Sequence, residues 1–395
     1  MYNRFVSVII FLFLSLVSRA QERVIKTWYD TGKTQLKESY NVIIEKNDTL
    51  EKNGKYVIFH ENGKVWQEGS YDHNQLTGPW KDYYETGVVK QELLYTAGLL
   101  NGIIRYYYPS GKIRQVISYR NDLLNGEVVT YYENGNIQES SVYSENLPDG
   151  EIKTFYENGK VRFIKTLKKG IEEGPALGYY ENGNIKERYT MLNGLYTGVF
   201  TDYYKEGKDG AICKICFYKN GKLNGKFSGY YPGGYKMVEC FYENDLIAST
   251  FTEFYDSTGQ VKECGKYNLN KKNGIWKSFY PDGSLFSSGK FLNSALDSIW
   301  NVYYPNGNIK QKGAYLNGKA SGEWKFYYET GELKNKGAYI NDFREGLWMT
   351  YYRSGELMSE INFRLGKRDG LAKGYARDGK LTETTRYKNG IIQNE

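Results

Sequence analysis

Apolar and polar residues alternate with period two in short runs along nearly the whole chain, and helical periodicity is absent. In the run Trp324 to Tyr328, Trp324 stands two residues after Gly322. The same position is apolar at Trp80, Ile104, Val128, Phe200, Phe227, Trp276, Trp300 and Trp348. Successive strand residues point to opposite faces, so this position shares a face with the second Tyr of each pair, as at Tyr84, Tyr132, Tyr280, Tyr304 and Tyr328. The other face takes Lys81, Arg105, Lys153, Lys277 or Lys325 beside the first aromatic, such as Tyr83, Tyr131, Tyr303 or Tyr327. In a second run, Glu332 to Tyr339, the residues Leu333, Gly337 and Tyr339 share a face. A glycine between aromatics leaves room for a neighbouring ring to lie flat across the strand. The pattern predicts one apolar, aromatic seam and one mixed Tyr/Lys/Glu face open to water.

The two runs form a unit, and the unit repeats. Opening glycines fall at Gly54, Gly78, Gly102, Gly126, Gly150, Gly174 and Gly198, each 24 residues apart. After a three-residue insertion, Lys208-Asp209-Gly210, they resume at Gly225, Gly274, Gly322, Gly346 and Gly370, with Ser249 and Ser298 taking the glycine's place in two units. Between the runs lie E-N-G, P-N-G, E-T-G or P-D-G, the Asn/Asp-Gly chemistry of tight turns that need positive φ. A second loop, Leu316 to Gly322 in one unit, leads to the next hairpin. The spacing predicts an all-β chain, an elongated antiparallel β-hairpin repeat array of about fourteen units of 24 residues. The array is expected over residues 54–390. Residues 21–53 read as an N-terminal cap with a degenerate repeat, and 391–395 as a tail. The final unit has Ala376 where others have Tyr.

Composition supports a folded chain, since 40 Tyr and 44 Gly against 7 Pro do not describe disorder. Residues 1–20 stand apart. Arg4 precedes an apolar run from Phe5 to Val17 that only Ser7 and Ser15 interrupt, and Ser18-Arg19-Ala20 follows. This is the pattern of a cleavable secretory signal, cut after Ala20, and the run is short for a membrane span. A periplasmic or secreted chain with no transmembrane segment after cleavage is expected. The formal charge of +7 falls by two when Arg4 and Arg19 leave, too mild to suggest a nucleic-acid partner.

Candidate chemistry is sparse. His60 fills a second-Tyr slot and reads as a substitute within the repeat, and His73 sits in a loop without the partners of a catalytic triad. Cys213, Cys216, Cys240 and Cys264 all fall between Gly198 and Gly274. Cys216 and Cys240 hold equivalent positions two strands apart, about 9.5 Å, beyond disulfide reach. Cys213 and Cys216 point to opposite faces of an extended strand, but the preceding insertion leaves a local bridge between them open. Buried thiols, that bridge and a zinc site are the three readings. The glycines form no phosphate cradle, and Glu172-Glu173, placed in a loop, read as solvated.

The strings YYENGNIKERY (179–189), YYPNGNIKQKGAY (303–315) and YYETGELKNKGAY (327–339), with NGKASGEWKFYY (317–328), resemble the MORN-repeat variant typical of YwqK-type antitoxin components of toxin–antitoxin systems. The resemblance spans roughly residues 28–390. It implies a MORN-like meander that is non-enzymatic and binds a partner, without cofactor, metal or catalytic residues. The export signal moves any toxin-neutralising role to the cell envelope.

These observations favour a protein-binding scaffold over an enzyme. Tyr83, Tyr107, Tyr131, Tyr179, Tyr203, Tyr303, Tyr327 and Tyr351 on the water-facing rows are the candidate contact residues, because Tyr is enriched at interfaces. The alternative is an envelope module whose aromatic rows contact lipid headgroups or glycans. Lipid binding calls for a concentrated basic face, whereas Lys alternates with Glu in nearly every second strand, which favours a protein partner, a toxin being one candidate.

Overall fold

The computed structural model describes residues 21–44, 49–206 and 210–393. The expected signal segment, residues 1–20, and the inserted Lys208-Asp209 lie outside the described residues. The described residues form an all-β array of 35 strands, with no helix among them and therefore none long and apolar enough to cross a membrane. Strands pair antiparallel with their sequence neighbours. They form two compact units, and the strand Val161–Lys168 contributes residues to both. The same hairpin builds both.

One hairpin from the second unit shows the construction. Strand Lys319–Tyr327 runs into a five-residue loop, strand Leu333–Ile340 returns, and the pair Asn341-Asp342 turns the chain into Phe343–Tyr351. Trp324 lies opposite Gly337 and Phe326 opposite Asn335. A register shift then pairs Tyr327 with Leu333 and leaves Lys334 as the extra residue of a bulge.

Turn chemistry differs from the sequence expectation. The tight turn with two left-handed residues is the second loop: φ is 51° at Asn341 and 71° at Asp342, and 51° and 81° at Asn317 and Gly318. Two positive φ values mark the primed turn that matches strand twist. In the loop 304–308 only Gly307 is left-handed, at 86°. The longer loop spares Asn306, whose Oδ1 instead accepts the Asn308 N–H at 3.0 Å. Loop length also absorbs the sequence irregularities. Tyr304 N–H bonds the carbonyl four residues on, Tyr255 reaches five to Gln260, and Tyr204 reaches seven to Ala211. The strands on either side of each longer loop still pair in register.

One face carries the core. Trp80, Trp276, Trp324 and Trp348 are all buried on it. Each lies across the glycine eleven residues earlier (Gly69, Gly265, Gly313 and Gly337), where a Cβ would run into the indole ring. Trp300 covers Gly289 in the same way. The indole Nε1–H of Trp324 donates to the Ala314 carbonyl at 3.2 Å, and that of Trp348 to Ala338 at 3.1 Å. Tyr315 and Tyr339 meet these indoles edge-on, with centroids 5.2 and 5.1 Å apart. The seam is narrower than expected, because the next position on this face is often polar. Asp82, for example, accepts from Gln67 at 2.8 Å and Gln91 at 2.5 Å. Cations cover part of the seam: Lys272 sits 3.9 Å from the Trp276 ring centroid and Arg344 4.4 Å from that of Trp348.

Candidate interaction surface

The two tyrosines of each pair do different work. The second begins the hairpin loop, and its hydroxyl donates to the carbonyl of the first aromatic in the next hairpin. In the first unit these bonds run from Tyr84 to Tyr107 (2.8 Å), Tyr108 to Tyr131 (2.7 Å) and Tyr132 to Phe155 (2.9 Å). In the second they run, among others, from Tyr280 to Tyr303 (2.9 Å), Tyr304 to Tyr327 and Tyr328 to Tyr351 (both 3.0 Å). This tyrosine is a structural tie between repeats. His60 occupies the same slot, with Nε2 3.2 Å from the Tyr83 carbonyl oxygen. His73 lies in a turn, with Nδ1 2.7 Å from Asp72.

The first tyrosine ends its strand on the opposite face. Tyr83, Tyr107 and Tyr131 in the first unit, and Tyr179, Tyr203, Tyr303, Tyr327 and Tyr351 in the second, are all half-buried there. Phe59, Phe155, Tyr230, Phe254, Phe279 and Tyr375 hold the same position in other hairpins. Tyr83 donates to Glu68 at 2.6 Å and Tyr107 to Glu92 at 2.7 Å. Burial, reinforced by these carboxylates, pushes both phenols up to about 12. Around them charges alternate across the strands. Glu68 faces Lys81, Lys81 faces Glu92 and Glu92 faces Arg105, with Lys81 and Glu92 3.0 Å apart.

This water-facing surface holds more than tyrosine and charge. Val199 pairs with Phe217, and both stand exposed on it, as do Phe241, Ile275 and Ile299. Ile275 is 66 % exposed. Val199, Ile275 and Ile299 follow directly after the unit-opening residue, where sequence reading assigned no role. Beside Ile299, a depression of about 280 Å³ is lined by Lys312, Gly313, Ala314, Glu323, Lys325 and Tyr327.

All four cysteines are free thiols. Cys216 and Cys240 are buried, and burial raises both, Cys240 to about 11. Phe200 pairs with Cys216 and Phe227 with Cys240, so the thiols fill the slot that glycine takes beneath tryptophan. Cys213 is the bulge residue between Ile212 and Lys214. Among the described residues, no three His, Cys, Asp or Glu side chains gather to hold a metal ion. Glu172 corrects the reading of a solvated loop acid. It sits in the strand Ile171–Glu172, accepts the Tyr189 hydroxyl at 3.0 Å and pairs with Lys165 at 3.0 Å. Burial first, then Glu172, raises the Tyr189 phenol well above its ordinary value.

The family model described as MORN repeat variant matches residues 52–73, 76–97, 100–121, 124–145, 148–169, 172–193, 272–293, 296–317, 320–341, 344–364 and 368–389, more than half of the chain. The chain belongs to the MORN repeat variant family. Residues 194–271, between the matched MORN repeats, contain the insertion and all four cysteines, yet the described residues among them form the same hairpins. No curated protein matches the sequence. Among solved structures, the chain is similar to the Photorhabdus luminescens Tc holotoxin pore at 10 % identity and a TM-score of 0.15, over 90 % of this chain and 22 % of that one. It is similar to TcdB2-TccC3 without its hypervariable C-terminal region at 11 % identity and a TM-score of 0.15, over 93 % and 20 %. The match to TcdB2-TccC3 has 12 % identity and a TM-score of 0.14, over 90 % and 28 %. The MORN chain thus spans between a fifth and a little over a quarter of those chains, and at such scores nothing of them carries over.

Proposed function

We propose that this MORN-repeat chain is an exported, non-enzymatic scaffold that binds a protein partner through its water-facing surface. The observation that carries the reading is the division of labour between the faces. Ring packing and tyrosine ties hold the repeats together on one side, while the other presents half-buried tyrosines among exposed Val199, Phe217, Phe241, Ile275 and Ile299. Rigid tyrosines beside apolar side chains and mixed charge are the composition of a protein-recognition surface. Export rests on the leader-like residues 1–20. An antitoxin-like, toxin-neutralising role in the envelope rests on the resemblance of the repeat strings to YwqK-type proteins.

The test is stoichiometric capture by the tagged chain from an envelope fraction, compared with a variant carrying Tyr303→Ser, Tyr327→Ser and Tyr351→Ser. A defined protein retained by the parent and lost by the variant, with melting unchanged, supports the reading. Recovery of lipid or glycan without a stoichiometric protein contradicts it.

A further inference from the structure

We propose that the water-facing surface around Lys312, Lys325 and Lys336 docks an acidic, extended segment of the protein partner; this rests on the scaffold reading above. On this face one residue of each strand forms a row across the sheet. In the first unit the row reads Glu68, Lys81, Glu92, Arg105, alternating in sign. In the second it reads Asn301, Lys312, Lys325, Lys336, with three lysines directly opposite one another in successive strands. Like charges placed opposite each other in a sheet destabilise it, and cross-strand neighbours stand only about 5 Å apart. Folding alone gives no reason to place them so.

The surrounding groups strengthen the pattern. Where Tyr83 and Tyr107 donate to Glu68 and Glu92, the residues in the corresponding register beside Tyr327 and Tyr351 are Lys312 and Lys336. The Lys336 Nζ lies 6.0 Å from the Tyr351 ring centroid. Among the described residues the Tyr327 hydroxyl has no acceptor, so it is free to donate outward. The one carboxylate in the depression is Glu323, which pairs with Lys325 at 3.0 Å and is itself exposed. One carboxylate against the two ammonium groups of Lys312 and Lys325 leaves the depression positive, and Lys336 adds a third ammonium group in the row beside it. The depression of about 280 Å³ beneath Lys312, Lys325 and Tyr327 has room for a carboxylate side chain, and exposed Ile299 forms its apolar wall. Ammonium groups in line across strands, an unpaired phenol donor and an apolar wall together suit Asp or Glu side chains on an extended peptide. Charge complementarity of this kind sets partner choice and association rate.

The experiment titrates a fluorescent octaglutamate peptide into the full chain. Saturable binding that weakens between about 50 and 200 mM salt is expected, because exposed charges are screened over shorter distances as salt rises. It should weaken at least tenfold in the variant Lys312→Gln, Lys325→Gln, Lys336→Gln. A control of equal charge, Lys310→Gln, Lys319→Gln, Lys334→Gln, alters neighbouring lysines outside the row and should bind as the parent does. Removing like-charge contacts should leave melting unchanged or raised, which separates lost binding from lost folding. No binding, equal weakening in both variants, or preference for phosphatidylserine vesicles or inorganic phosphate over the peptide would overturn the proposal. If the peptide fails while the tyrosine variant still loses its captured protein, the scaffold reading stands and the acidic-segment inference falls.

Discussion

Trp348 lies across Gly337, eleven residues before it, and ties itself down by donating its indole N–H to the Ala338 carbonyl at 3.1 Å. Any side chain at 337 competes with the ring for the same space. Gly337→Ala should therefore destabilise the chain by about 1–3 kcal/mol, the usual cost of overpacking. Denaturant unfolding followed by tryptophan fluorescence measures this. In a Trp348→Leu background the same change should cost clearly less, since the colliding ring is gone. Equal costs in both backgrounds would show that the pair is not coupled.

A second kind of glycine is required by φ and not by space. Gly322 has φ of 71° and open space within 4 Å of where a Cβ would stand, and Ser298 adopts φ of 66° at the equivalent place. A side chain in the left-handed region costs about 1–2 kcal/mol. Ser298→Gly and Ser249→Gly should each stabilise by about 1 kcal/mol, and Gly322→Ser should destabilise by a similar amount. Denaturation midpoints at constant m-value check the sign.

The tyrosine ties make a third prediction. Tyr304→Phe keeps the ring and removes the bond to the Tyr327 carbonyl, so it should cost about 1 kcal/mol. His60→Tyr should be neutral or stabilising, because it restores the side chain that other repeats use at that slot. Amide exchange in the loop and the strand receiving the bond should rise in the first case only.

Alkaline pH should unfold the array through the water-facing phenols. Tyr83 and Tyr107 are pushed up to about 12 by burial and by Glu68 and Glu92, against an ordinary value of 10.0. Between those values the unfolded chain has released a proton that the folded chain keeps. The stability these phenols contribute is therefore intact below pH 10 and lost as pH rises through 12. Phenolate absorbance should show late-titrating tyrosines whose ionisation coincides with loss of sheet signal. Glu68→Gln should bring Tyr83 part of the way down, since burial remains the larger cause.

Much of this was legible in the sequence, because period-two alternation and fixed glycine spacing carry direct geometric meaning. The opposite placement of Trp324 and Tyr327 follows from parity alone. The turn types did not follow. Asn306-Gly307 and Asn317-Gly318 are chemically alike, and only loop length decides which asparagine takes positive φ. The register shift at Tyr327 was also hidden, since a bulge adds a residue without a composition signal. The eleven-residue link between glycine and tryptophan was present in the sequence but crosses a turn, where strand parity no longer applies. The lysine row was hidden for a related reason. A strand's own sequence does not show which residues stand opposite it, and only the register aligns Lys312, Lys325 and Lys336.

The most direct test of the division between faces is side-chain covalent footprinting of the tagged chain, alone and with the protein it captures. The account predicts that Tyr303, Tyr327, Tyr351 and Ile299 lose labelling on binding while Tyr315, Tyr339 and the buried tryptophans do not change. Protection confined to Tyr315 and Tyr339, with the water-facing tyrosines labelled as before, would contradict it.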